Sequence, residues 1–370
     1  MAARQFAGWR LAQLSSGTDL EHTFSGTVPR AFLRRGRTGW AAIATPPGGG
    51  DSSLTHGLLW LDYLRRREPG CTVEGLALFL PEDELNETCL RLRGLDPSKL
   101  SARVIAYSRE GPEYEVDTRG WGNIDTHLAP PPSGIPEPAL RHLLCLEGVE
   151  AIPLPAGTWS LRVRGLEFGR SEEGVWRQWL DPALLNEARS ADAADRHHPL
   201  FLRQPEAWLE SMVRSNLSAI DAWLRPSPVY GQVGLVAGTD RGIVDLLAVD
   251  GGGRLAVLEL KATEDPHLPV QALDYWLKVV RHVEQGDFDR LGYFPGIPLH
   301  RDQPRLLLIA PALAFHPTTE RLLEFLQPSI EVVRVGLGVE WQKNLRVVFR
   351  VRGASSPEWD REDFAGQHGP

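Results

Sequence analysis

The stretch "GIVDLLAVDGGGRLAVLELKAT", residues 242–263, constrains the fold of this chain more than any other. Two apolar runs flank Asp250-Gly251-Gly252-Gly253, and glycine supplies the positive φ that a tight hairpin turn requires. The runs are therefore expected to pair as antiparallel strands, and a turn centred on Gly252 sets Asp245 opposite Glu259. Side chains alternate between the faces of a strand, so Glu259 and Lys261 share a face and Asp245, as the cross-strand partner, joins them. Glutamate and lysine are among the residue types least often buried. Either this is a salt bridge at a strand end, or it is a catalytic set that the strands were built to hold.

Lysine usage bears on that choice. Four of the 40 basic residues are lysine, at positions 99, 261, 278 and 343, and Lys261 alone has an acidic residue two positions before it. Lysine can lose its proton and arginine cannot, so a strand lysine in an arginine-rich chain suits a role that needs a compact, titratable amine. Two carboxylates facing each other repel. A divalent cation offsets that repulsion, and carboxylate oxygens suit Mg²⁺ or Mn²⁺ while leaving positions for water and phosphate. Lys261 would then orient or deprotonate the attacking water.

The flanking segments extend the constellation. "VQALDYWLKVVRHVEQG" reads as a helix in which Gln271 and Tyr275, spaced i and i+4, share a face. The helix predicted from Pro205 has an apolar stripe at Leu209, Met212, Val213, Leu217 and Ile220. Its Glu206 is either an extra carboxylate for the site or an acid favoured in a first helical turn. "PRLLLIAP", "IEVVRVGL" and "LRVVFRV" read as strands and "TTERLLEFLQP" as a helix, which makes a layered α/β unit.

Glu206, Asp245, the "ELK" of Glu259 and Lys261, Gln271 and Tyr275 together resemble the PD-(D/E)xK nuclease superfamily. In detail, the order Glu206, Leu209, Asn216, "VDLLAVDGGGRLAVLELK" and "QALDY" is similar to the nuclease domain of the NucS mismatch endonucleases, over about residues 200–351. The resemblance implies a restriction-endonuclease-like core, a mixed central sheet flanked by helices, and metal-dependent hydrolysis of DNA phosphodiesters. It implies Asp245 and Glu259 as ligands of Mg²⁺ or Mn²⁺ and Lys261 at the attacking water. Gln271 and Tyr275 would position metal-site groups or phosphate, and Glu206 would complete the carboxylate set. The remainder of the chain does not look like the DNA-binding half of NucS proteins, so structure-specific and single-stranded DNA both stay open as substrates. The alternative is a protein that keeps the fold as a nucleic-acid-binding or scaffold module without cutting.

Residues 119–138, rich in proline and glycine, read as a linker, 139–195 as an accessory segment, 196–353 as the nuclease-like domain and 354–370 as a disordered tail. The accessory segment reads as a short helix and two short strands, and its "RVRGLEFGR" carries no chemistry that the sequence reveals. In residues 1–118, "PRAFLRRGRTGWAAIA" lies on "VDLLAVDGGGRLAVLE" without gaps, "LDYL" echoes "LDYW", and "LFLP" echoes "LIAP". That alignment predicts a degenerate copy of the same fold, with Arg30, Ala44 and Pro46 where Asp245, Glu259 and Lys261 stand. An internal pseudodimer follows from it, with a homodimer as the other arrangement.

The formal charge of −8 argues against a generic, charge-driven duplex binder. Arg30, Arg34, Arg35 and Arg37, with Arg65, Arg66 and Arg67, are the candidates for a local basic groove, unless they are simply solvated surface. Cys71, Cys89 and Cys145 are scattered and make neither a disulfide framework nor a paired metal motif, and His197-His198 has no third ligand nearby. No apolar run approaches the roughly 18 residues of a membrane helix, and the first residues lack a signal-peptide pattern, so a cytoplasmic protein is expected.

Overall fold

The computed structural model describes residues 5–17, 24, 28–108, 111–122, 126–131, 138–154, 157–190, 192–193, 195–237 and 240–355. All but the first two residues of the predicted tail lie outside this range. The described strands form three sheets, and the chain is a mixed α/β protein with helices flanking the two larger ones.

The first sheet holds β1 (Arg10–Ser15), β2 (Arg30–Arg35), β3 (Thr38–Ala44), β4 (Thr72–Pro81), β5 (Ser101–Tyr107) and β6 (Tyr114–Val116) in chain order. Helix α1 (Gly50–Arg67) crosses from β3 to its parallel neighbour β4, and α2 (Leu85–Leu92) from β4 to parallel β5. Within the span read as a linker, β7 (His127–Leu128) pairs with the edge of the third sheet.

The accessory segment is an antiparallel sheet of β8 (Val149–Pro153), β9 (Trp159–Val163), β10 (Leu166–Glu172) and β11 (Val175–Gln178), four strands where the sequence suggested two. It closes over its own core, which includes Leu161, Phe168 and Leu185.

The third sheet has the order β17-β16-β15-β14-β13-β12-β7. Helix α3 (Pro205–Ser215) precedes β12 (Tyr230–Ala237), β13 (Asp240–Val249) and β14 (Leu255–Leu260); then come α4 (Leu268–Gln285), β15 (Arg305–Pro311), α5 (Thr319–Leu323), β16 (Val332–Leu337) and β17 (Val347–Arg352). The helix predicted from Pro205 breaks at Asn216 and resumes as a separate turn over Leu217–Ile220. β12 was not predicted: its glycines and the positive φ of Gln232 weaken any strand signal, and its pairing along β13 supplies what the local sequence lacks. Every residue of β14 is buried, as expected of a central strand covered on both faces.

The pairing senses of β1 to β6 are antiparallel, antiparallel, parallel, parallel, antiparallel, and β12 to β17 repeat them. The helices fall at equivalent points. Contacts between the two halves are reciprocal: α1 packs on α5 and α2 on α4. Asp62 of α1 lies 3.9 Å from Arg321 of α5, and Asp274 of α4 lies 3.4 Å from Arg91 of α2. At the centre Leu95 and Leu326 form an antiparallel bridge, with Asp96 N–H donating to Phe325 O at 2.8 Å and Gln327 N–H to Gly94 O at 2.9 Å. Such reciprocity is what a local two-fold axis produces. One apolar cluster runs through both halves, from Leu58 and Leu85 to Leu273 and Leu322.

Candidate functional site

The β13–β14 hairpin has the register that its glycine turn predicts. Leu246 pairs with Leu258, Leu247 with Val257 and Ala248 with Ala256, so Asp245 continues the series opposite Glu259. Its Oδ2 accepts a hydrogen bond from Leu260 N–H at 2.9 Å. β14 then ends, with Lys261 N–H donating to Ile309 O at 3.0 Å.

Glu259 is 1% exposed, and its Oε2 has no hydrogen-bond partner among the described residues. Its Oε1 lies 3.7 Å from Lys261 Nζ, which is equally far from Asp265 Oδ2. Burial, and after it the charge of Asp245, holds the Glu259 carboxyl well above the usual carboxylate range. Asp245 is pushed up to about 6, chiefly by burial, with Glu210 and Glu206 adding repulsion against the Leu260 N–H bond and Lys261.

α4 brings Gln271 and Tyr275 together as the i, i+4 spacing requires, with Gln271 Nε2 donating to Tyr275 Oη at 3.2 Å. Burial pushes the Tyr275 phenol up to about 12, and the charges of Glu259 and Asp245 act in the same direction. Glu206 stands in the first turn of α3, 3.4 Å from Thr263 Oγ1, and lines one cleft with Asp245. Sequence reasoning missed Glu210, one turn further along α3. It is buried, takes hydrogen bonds from Arg214 Nη1 at 2.9 Å and Gln232 Nε2 at 2.7 Å, and is raised by its burial. The i, i+4 spacing from Glu206 was its only signal.

Among the described residues no group of three or more His, Cys, Asp or Glu side chains is disposed to hold a metal ion. Asp245 and Glu259 therefore offer a pair of carboxylates, one with a buried oxygen lacking any donor. A pair suits Mg²⁺, which keeps several waters and takes one or two carboxylates plus phosphate oxygens. His197 and His198 contribute nothing here: His198 Nδ1 accepts from Leu200 N–H at 3.2 Å at the start of a short helix.

The equivalent position in the first half differs in chemistry and in register. Lys261 N–H bonds Ile309 O, and in the first half Thr45 N–H bonds Phe79 O at 3.0 Å, while Arg30 pairs with Ile43. Arg30, Ile43 and Thr45 thus occupy the places that the gapless alignment gave to Arg30, Ala44 and Pro46. The correction of one residue arises because only Gly36 and Arg37 separate β2 from β3, whereas residues 250–254 separate β13 from β14. Arg30 is buried, with its guanidinium 4.4 Å from the Phe24 ring and Nη2 bonded to Gly17 O at 2.8 Å.

Most of the arginines proposed for a basic groove are tied into local structure. Arg34 caps Gly36 O, Arg35 covers Trp9, Arg65 bonds Val73 O and Lys99 O, Arg66 pairs with Asp62 and Arg67 lies over Tyr63.

No protein-family model matches the chain, and a comparison with the curated proteins finds no match either. No described helix is long and apolar enough to cross a membrane.

Proposed function

We propose that the chain is a Mg²⁺- or Mn²⁺-dependent nuclease that hydrolyses DNA phosphodiester bonds at Asp245, Glu259 and Lys261. The observation that carries this reading is Glu259: a buried carboxylate, facing a second one, with an oxygen that no donor among the described residues satisfies. Lys261 Nζ lies 3.7 Å from the other oxygen, Oε1, which is longer than a hydrogen bond, and that contact leaves Oε2 unsatisfied. Asp245 and Glu259 would hold the cation, which when bound polarises the phosphodiester and lowers the pKa of water. Lys261, on the same face, would hold or move the proton of the attacking water and face the scissile phosphate. Gln271 fixes the Tyr275 hydroxyl, and the two would steady the phosphate from the α4 side.

In this reading the first half is a copy of the same fold in which Arg30 stands where Asp245 would be and the carboxylate pair is lost. It also motivates the second reading: if the architecture stands there without carboxylates, a binding or scaffold role needs only the fold. Cleavage assays on single-stranded, branched and mismatched DNA with titrated Mg²⁺ and Mn²⁺ separate the two. The nuclease reading expects cutting that Lys261→Ala lowers about 10²–10⁴-fold, the usual worth of a positioned acid–base group. The scaffold reading expects no cutting, and no calorimetric signal for a divalent cation that Asp245→Asn could weaken.

A further inference from the structure

We infer that the cleft between the accessory sheet and α3 binds an unpaired nucleotide strand, with Trp179 stacking on a base and Arg162 and Arg203 meeting the backbone. The inference rests on the nuclease reading and narrows its substrate to DNA with unpaired bases at the site.

The cleft measures about 490 Å³. Glu206 and Glu210 of α3 and Asp245 of β13 line it together with Arg162, Glu167 and Trp179 of the accessory segment and Arg203. That volume lies within the range of small-molecule pockets and has room for a base with its sugar.

Trp179 is 51% exposed, yet it is not loose. Its indole Nε1–H donates to Glu167 O at 3.1 Å and its backbone N–H to Phe168 O at 3.0 Å. An indole held in one pose with half its area in water is a stacking platform, and every base has a face that fits one. Arg162 is steadied through Nε by Ser160 Oγ at 3.0 Å and stands opposite Glu150 and Glu167 on the neighbouring strands, its charge also acting on Glu210, while Arg203 is exposed. Two cations beside an acidic floor match a phosphate strand drawn past a site whose own carboxylates would otherwise repel it.

The wall is fixed to the catalytic side. A Cβ at Gly165, in the β9–β10 turn, would fall 1.9 Å from Ala207 O on α3, so the turn sits directly against the helix that carries Glu206 and Glu210. The buried Arg189 guanidinium donates to Arg164 O at 3.0 Å, Leu200 O at 2.8 Å and Arg203 O at 2.6 Å, which ties that turn to the approach to α3.

The test is fluorescence anisotropy of a labelled oligothymidylate and of a blunt hairpin duplex on the Glu259→Gln chain, which cannot turn the probe over. Trp179→Ala is expected to weaken oligothymidylate binding about tenfold or more, with Trp179→Phe retaining most of the affinity and melting as the parent does. Arg162→Ala and Arg203→Ala should each flatten the salt dependence of binding by about one unit of slope. Oligothymidylate binding that is absent, or unchanged by Trp179→Ala, overturns the inference while the nuclease reading still stands or falls on cleavage. Trp179-dependent binding by a chain that cuts no DNA sinks the nuclease reading instead.

Discussion

A glutamate on a strand covered from both sides is cut off from water, and Glu259 is in that position with Asp245 across the ladder and Lys261 3.7 Å away. Neither ionised form is at ease in the apo chain, since burial raises both carboxyls. Neutral isosteres should therefore relieve the fold: Asp245→Asn is expected to stabilise the EDTA-treated protein by roughly 1 to 3 kcal/mol, and Glu259→Gln to act in the same direction. Melting curves with and without Mn²⁺ check this. The parent should gain stability from the ion and the variants should not; variants that melt below the parent in EDTA would count against strained carboxylates. The pair was legible in the sequence because a glycine turn and a period of two leave little freedom in register. Glu210 was not, because a glutamate on a helix ordinarily points to water, and only Gln232 and Arg214 in space reveal that this one is buried.

At the scale of elements, the accessory sheet depends on one guanidinium. Arg189 is fully buried and serves carbonyls from two separate segments; burial lowers it to about 10, so it stays charged at neutral pH. Arg189→Met would leave those carbonyls without donors, each costing about 1 to 3 kcal/mol. A loss of more than about 3 kcal/mol in chemical denaturation is expected, together with faster amide exchange in residues 162–167. Gly165→Ala should lift the β9–β10 turn from α3 because neither its φ of +80° nor the space allows a side chain. Its signature would be weakened oligothymidylate binding with cation binding unchanged. "RVRGLEFGR" thus has a structural meaning that its composition hid: Arg164 and Gly165 make a turn of two positive-φ residues, and what that turn touches lies far away in sequence. The β13–β14 hairpin was legible from its local pattern, whereas β12 and the extra accessory strands were not, because partners supplied by tertiary structure made them strands.

For the whole molecule, two halves of like topology meet on a local two-fold, and the carboxylate pair is present in one of them. In the proposed nuclease a single carboxylate pair would act on one strand at a time, at the unpaired stretches that negative supercoiling opens in a plasmid and that relaxation closes. Supercoiled plasmid treated with the chain and Mg²⁺ or Mn²⁺ is therefore expected to accumulate as open circles, with linear molecules appearing only after many nicks. Linear product formed at the same rate as the first nick would contradict it. The repeat could be glimpsed in the sequence: "LDYL" and "LDYW" place Asp62 and Asp274 in reciprocal ion pairs. Its exact register could not be read, because apolar strands align at neighbouring offsets almost equally well and a turn of different length shifts the pairing by one. The arginine clusters left two readings open, since charge alone does not distinguish a groove from a solvated face of caps and ring contacts.

The bridge at Leu95 and Leu326 also bears on how this assembly is inherited and diluted. Two identical subunits meeting on such an axis would come apart at low concentration, and every substitution would appear on both sides at once. Here one backbone joins the two sides, so their encounter is intramolecular and its effective concentration is set by the intervening chain. Cohesion no longer depends on how much protein is present, and a change on one side leaves the other untouched.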